Sequence, residues 1–352
     1  MSTYREVKGY SVKKIDSDPA NPKFGQVWYN NTTKQIKVRT TTLASWSSGG
    51  TLNEHRGSFS AAPIGTQTAS IAFGGQNDSL SPPKRNASEE YDGSSWTEGN
   101  NLNTARYRIG VAGTQTAGLG YGGYTLPGQT ANTEEYNGTS WSEQNNLASV
   151  RSAPSGCGTQ TAAVSIGGAT YSPSEGGATI ALTEEYDGTS WTAGESIAPA
   201  LSNAPASGIQ AHGSVGSQTA ALVIGGNNGA VTNQVLTYDG TNYANSTALP
   251  RGIGNGFSCG VADAAIAGGG QDGAGGGAGN RRLADTIIFD GTSWTTSPAS
   301  LASGRESGGS GGSSTAGLSF GGFNSASPPC LLYTSDAADD LLCVDLGGRR
   351  II

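Results

Sequence analysis

The sequence predicts an all-β protein assembled from tandem copies of one short unit. Three observations carry this. Glycine accounts for 56 of the 352 residues and charged residues for only 13%. Such a chain lacks the material for a Leu/Ile-packed helical core but suits many short strands joined by glycine turns. No apolar stripe at helical spacing runs for a useful length. Third, one phrase returns down the chain: "GTQTA", a short apolar run, paired glycines, a variable loop, then "EEYDGTSW". Successive first glycines of those pairs, starting at Gly74, lie 48, 45, 58, 44 and 52 residues apart.

In chain order, the head comes first. Residues 1–39 carry eight Lys/Arg against three Asp/Glu, a net +5 in a chain of net −7. The body is therefore acidic, which argues against nucleic acid as its ligand, because phosphate binding needs clustered cations. "FGQVWYNNTTKQIKV" (24–38) alternates apolar and polar residues around an Asn/Thr turn, the pattern of a hairpin. No apolar run approaches the roughly 18 residues of a membrane span, so no membrane insertion is expected. The start "MSTYREVKGYSVKKIDSDP" lacks the apolar core of a secretion signal, and the expectation is synthesis in a cytoplasm without export by the usual route. Further on, "SWSSGGTLNEHRG" (45–57) parallels "SWTEGNNLNTARY" (95–107), which places Trp46 in the outer strand of a unit whose other strands come from elsewhere.

Each repeat then reads as four strands. "TASIAF" (68–73) and "TAGLGY" (116–121) are small-residue strands suited to a crowded interior, and the glycine pair after each allows a tight turn and close approach. "EEY-DG-TSW" is a hairpin in which Asp-Gly supplies left-handed turn residues and Tyr and Trp bracket it. Those aromatics are the large apolar bodies a glycine-rich strand lacks, so they are assigned to packing between units. A period near 50 with strand-like units is that of a propeller or similar array. A Gly-Gly doublet, then Tyr, then Trp at this period resembles the kelch repeat of β-propellers over residues 44–322. The resemblance implies a kelch-like propeller of six or seven four-stranded blades, cut short at its C-terminus, behind a short hairpin extension. The domains would be 1–43, 44–329 and a tail, 330–352. The Tyr-to-Trp spacing is shorter than usual for the family and implies a tighter outer hairpin. "YDGTSW" also resembles the Asp-box of sialidases, but there one residue separates Asp from Gly.

Chemistry is hard to place on this chain. Copper oxidases with kelch propellers need a set of His and Tyr ligands, and metal sites need three or four donors. Only His55 and His212 are present, in loops of different repeats. Cys157 and Cys259 occupy the same place in separate repeats, too far apart to bond, and read as small core residues. The pairs Glu89–Glu90, Glu134–Glu135 and Glu184–Glu185 suggest glycosidase carboxylates, but adjacent strand residues point to opposite faces. The expectation is a non-enzyme with no catalytic residue, metal or cofactor. The alternative is a bacterial kelch-type carbohydrate-active enzyme or a galactose-oxidase-like relative without a recognisable metal site.

What varies is the loop after each glycine pair, from "QNDSLSPPKRNAS" (76–88) to "QDGAGGGAGNRRLADT" (271–286). Divergent polar loops on one face of a rigid ring suit recognition. The anchors chosen there are Arg85, Tyr124, Tyr171, Arg281 and Arg282. The head hairpin, with such repeats behind it, resembles phage tail-fibre and virion proteins. That resemblance implies location in the virion and a host-surface glycan or protein as the ligand. Residues 1–39 would then contact other virion proteins.

The tail is of a different composition. The sixth repeat runs through "TAGLSFGGFNSASPP" (315–329) and stops in its variable loop. "CLLYTSDAADD" (330–340) then resembles the translation of a transposase-type sequencing-library adapter, and "CVDLGGRRII" (343–352) the far end of the same adapter. Leu341 and Leu342 fall where a sample index would be read. The expectation is that Cys330–Ile352 is foreign, that Cys330, Cys343 and Asp336 to Asp345 have no functional role, and that the natural chain continues past Pro329.

Overall fold

A computed structural model describes residues 13–17, 27–38, 45–59, 62–77, 84–126, 128–172, 176–201, 208–273, 281–324 and 333–336. The described residues contain no α-helix, only a single 3-10 turn at Ala198–Ala200. The chain divides into two units, Ala44–Ala338 and a smaller one made of Met1–Leu43 with Asp339–Ile352. In the smaller unit, Lys13–Ile15 runs parallel to Val27–Asn30, which pairs antiparallel with Gln35–Val38. The turn forms because Asn30 Oδ1 accepts the amides of Thr32 and Thr33, while Lys34 takes the left-handed conformation (φ 57°).

The large unit is a succession of antiparallel sheets in which strands pair mostly with the next in sequence; in the third, Ala162–Ile166 pairs with Thr183–Tyr186 across the hairpin of Ala169–Ser172 and Gly176–Thr179. Four sheets are complete meanders: they begin at Gly110, Ser155, Gly213 and Phe257 and end at Gln144, Ala193, Asn245 and Ser300. The first repeat pairs only three strands, Ser70–Phe73, Ser88–Tyr91 and Trp96–Gly99. Its leading segment turns into them through Thr66 N donating to Ala69 O at 2.8 Å. The sixth sheet combines distant parts of the chain: Gly309–Gly312, Gly317–Phe320, Tyr333–Asp336 and Ser45–Ser48.

Neighbouring sheets are tied in a fixed order. In five repeats the second glycine of the pair donates its amide to the segment leading into the next sheet. Gly75 bonds Arg106 O, Gly123 bonds Arg151 O, and Gly168 bonds Ile209 O; Gly226 and Gly270 likewise bond Ile253 O and Arg305 O. The last, Gly322, donates to Arg56 O at 3.0 Å, back at the first lead-in. The innermost segments repeat this order, since Gly65 N donates to Gly113 O and Gly312 N donates to Gly65 O. Both glycines of a pair require left-handed backbone, as at Gly122 (φ 61°) and Gly123 (φ 105°), so no other residue serves there at low cost.

The aromatic hairpins pack between sheets. Trp141 lies edge-on to Phe73 of the preceding sheet, ring centres 4.6 Å apart, and donates from Nε1 to Ser88 Oγ. Trp191 does the same with Tyr121 and Thr133. Trp46 donates to Thr286 Oγ1, the equivalent position, and packs against Phe257, so the outer strand drawn from the start of the large unit occupies the place the sequence indicated. One detail differs from expectation. Of the Asp-Gly turn pair only the glycine is left-handed, as at Gly93 (φ 95°). The aspartate works through its side chain instead: Asp92 Oδ1 accepts the amides of Ser95 and Ser94, which hold its carboxyl down at about 2.

The recurring phrase "GTQTA" is explained by its glutamine. Gln160 Nε2 reaches the preceding sheet and donates to Gly118 O and Tyr136 O; Gln115 and Gln218 make the same two bonds one sheet along. Cys157 and Cys259 are buried free thiols at equivalent positions, the first pushed up to about 12 by burial. In the sixth sheet the register sets Ser335 opposite Trp46, where the other sheets set Tyr or Phe opposite Trp or Tyr, and Tyr333 where the first three sheets carry the first glutamate.

Candidate functional site

The repeated glutamates are accounted for by the scaffold. In the second sheet, Glu134 and Arg106 form an ion pair at 3.0 Å with both side chains fully buried. Glu134 also accepts the amide of Asn103 at 2.7 Å, while Arg106 donates to Gly122 O and Asn132 O. Burial draws the Arg106 guanidinium down to about 10, opposed by the Glu134 charge, so it stays cationic at neutral pH. Glu89 pairs with Arg56 and Glu184 with Arg151 in the same way. The second glutamate of each pair points the other way and accepts a tyrosine hydroxyl from the next sheet: Glu135 from Tyr186 at 2.9 Å and Glu185 from Tyr238 at 2.7 Å. Adjacent carboxylates thus serve opposite faces and do not converge on a common point.

The five loop residues singled out from the sequence lie in four different repeats. Arg85 is held in a bidentate pair by Glu54, whose carboxyl it lowers, and Arg282 bonds Glu306 and Asn324 O. Arg281 is exposed and pairs with Asp272 at 2.9 Å. Tyr124 is buried at 9% exposure and lies 5.3 Å from the Tyr107 ring. Tyr171 pairs by its backbone with Gly177 in a short hairpin of its own. The structure brings Arg281 and Arg282 together in one loop and leaves the others apart.

A different group of residues meets at one point. Each lead-in segment carries one non-glycine residue in the left-handed region: Ser58, Arg108, Ala153, Ala211, Asn255 and Ser307, with φ between 52° and 57°. Such conformations cost roughly 1–3 kcal/mol each in ordinary residues and persist only where the surroundings impose them. Here backbone bonds impose them in sequence: Arg108 N to Ser58 O, Ala153 N to Arg108 O, Asn255 N to Ala211 O and Ser307 N to Asn255 O. These six residues together rim a cavity of about 120 Å³, into which Gln210, His212 and Asn227 also project surface. Asn227 opens a variable loop and is bridged to Gln210, just as Gln76 is bridged to Gly57 and Tyr124 to Tyr107. The cavity therefore lies at the end of the sheets from which the variable loops emerge.

Two side chains stand out here. Arg108 is exposed, and its guanidinium makes no ion pair among the described residues. His212 is 1% exposed, and neither ring nitrogen has a hydrogen-bond partner among the described residues. Burial alone lowers its pKa to about 3, so the imidazole is neutral. Sequence reasoning set His212 aside as structural and did not single out Arg108. The available signal was that neither residue recurs at its position in any other repeat. No group of three or more His, Cys, Asp or Glu suited to a metal ion occurs among the described residues.

No protein-family model matches the chain, and a comparison with curated proteins finds no match.

Proposed function

We propose that the large unit is a six-bladed, kelch-type β-propeller that works as a non-catalytic binding module. In this reading it is carried on a phage virion or tail fibre and recognises a host-surface ligand, a saccharide in the first instance. The basic residues 1–39 attach it to other virion proteins. The fold part of the reading is supported by the order of inter-sheet bonds, which returns from Gly322 to Arg56, and by Trp46 joining the sheet at the other end of the chain. The functional part rests on one observation: a polar cavity rimmed by six strained residues at the end where the variable loops emerge. Strained backbone concentrates at recognition sites because a rigid surround can hold groups ready for a ligand. The adapter reading of 330–352 belongs to the same proposal, and independent long reads that carry this tail into flanking genomic sequence would end it.

The test is retention of the purified chain on a glycan array and on whole bacterial cells. Retention, with the glycan released unchanged, is the expected result. Exchanging the loops 124–133 and 227–236 for those of another repeat should change which cells are bound without lowering the melting temperature. Hydrolysis or oxidation of a bound glycan would overturn the non-enzymatic reading, and absence of retention on any cell or glycan would overturn the binding reading.

A further inference from the structure

The cavity at the lead-in segments has a definite chemistry. Among its lining residues the single charged group is Arg108, and no carboxylate lines it, in a chain of net charge −7. A metal cation has no anionic donor there. Nucleic acid would need several cations rather than one. At about 120 Å³ the space suits one small group, not a length of peptide. The remaining lining divides into two kinds. Gln210, Asn227 and Asn255 offer amides, and Ser58 and Ser307 offer hydroxyls, the donors and acceptors that hydroxyl-rich ligands use. Phe59 and Pro154 supply apolar wall. His212 is buried against this space with both nitrogens unpartnered among the described residues. A buried imidazole without partners forgoes its hydrogen bonds unless a ligand or ordered water supplies them.

We infer that this cavity binds the carboxylate-bearing ring of an acidic saccharide, of the hexuronic acid class. Arg108 pairs with the carboxylate through its planar fork. The amides of Gln210, Asn227 and Asn255 meet the ring hydroxyls, and one hydroxyl reaches the His212 imidazole. A guanidinium is suited to this because it engages both carboxylate oxygens at once, whereas an ammonium acts as a point charge. The inference rests on the saccharide-binding reading above and specifies its ligand.

The experiment is titration of the full chain with sodium glucuronate and sodium galacturonate, and with oligosaccharides of each, against glucose, galactose and sodium acetate. Binding is followed by calorimetry and by the His212 ring resonances. The expected result is at least tenfold preference for the uronates over the neutral sugars, with a shift of the His212 signals. Arg108→Gln should lose at least tenfold in affinity, and Arg108→Lys should recover only part of it. Arg108 is exposed, and an unchanged urea midpoint for both variants would show that the fold is intact. If neutral sugars bind as well as uronates, or Arg108→Gln binds uronates undiminished, the acidic-sugar assignment is wrong while the general reading stands. If no saccharide of any kind is retained, both fall together.

Discussion

Glu134 and Glu135 are neighbours on one strand, yet removing them should have very different consequences. Glu134→Ala leaves the Arg106 guanidinium fully buried with only carbonyl partners and takes the acceptor from the Asn103 amide. Breaking a buried ion pair by deleting one partner costs about 3–5 kcal/mol, because the other charge stays behind uncompensated. For a unit of this size, that is a fall in melting temperature of roughly 6–20 °C at about 2–4 °C per kcal/mol. Glu135→Ala removes one bond from a tyrosine hydroxyl at the half-buried end of Tyr186 and should cost about 1 kcal/mol. The fourth repeat suggests a stricter control. There the arginine position is Ile209 and the glutamate position is Leu236, packed in one buried cluster. The double variant Arg106→Ile/Glu134→Leu should therefore recover most of what Glu134→Ala loses, since a well-packed apolar pair replaces a buried ion pair at little cost. Urea denaturation of the four proteins decides it. Equal losses for Glu134→Ala and Glu135→Ala, or a double variant no better than the single one, would refute the two-face account.

Other outcomes follow from the same contacts. Gln160→Ala removes two bonds to carbonyls of the preceding sheet and should cost about 1–2 kcal/mol, read as a lower urea midpoint with an unchanged slope. Because burial holds His212 near 3 while the unfolded residue titrates near 6.5, the unfolded state takes up a proton first as pH falls. The native state should then lose about 1.4 kcal/mol per unit below pH 6.5 through this residue alone. Arg108 is the one charged side chain lining the same cavity, and His212→Gln should remove that slope in a comparison of urea unfolding at pH 7, 6 and 5. In the sixth sheet, Tyr333→Glu with Ser335→Tyr restores the residues that the first three sheets carry at those register positions. A higher melting temperature is expected, by several degrees at about 0.5–1.5 kcal/mol for the aromatic pair alone. No change or a fall would count against the view that 330–352 is foreign to the fold.

Much of the scaffold was legible because it recurs. The glycine pairs mark second-strand ends at every repeat, and the positive φ at Gly122 and Gly123 gives the reason. The parallel between Trp46 and Trp96 located the outer strand of a distant sheet, and the Trp46–Thr286 bond repeats what Trp141 makes with Ser88. The glutamate pairs were legible as scaffold from strand geometry alone. Their partners were not, since Arg56 and Glu89 lie 33 residues apart and nothing local links them. The candidate site was harder still. Arginines at loop tips look available in a sequence, but Arg85 and Arg282 each lie against a carboxylate supplied by a lead-in segment. Left-handed conformations at Ser58, Arg108 and Asn255 carry no sequence mark, because the backbone bonds between successive lead-in segments, not residue preference, impose them.

A repeated scaffold separates what the fold needs from what it only tolerates. The glycine pair and the outer Trp or Tyr recur in all six repeats because each seam between sheets poses the same packing problem, whereas the glutamine bridge made by Gln115, Gln160 and Gln218 gives way to Ala262 and Ser314 in the last two repeats. The arginine–glutamate pair is replaceable by apolar residues, and the chain makes that replacement at Ile209 with Leu236 and at Ile253 with Ile287. At the left-handed positions five repeats carry Ser, Ala or Asn, and the second alone carries a charged residue, Arg108. At the next position Phe59, Ile109, Pro154, Gly256 and Gly308 show that the seam accepts apolar groups of any size or none, yet one repeat carries His212, buried and without partners among the described residues. Neither residue solves a problem posed by the seam, and His212 adds a desolvation cost that any of its five counterparts would avoid. Both line the same cavity. The recognition site proposed above is therefore at this cavity, where the repeat demands neither residue, and not at the loop arginines, which already lie against carboxylates.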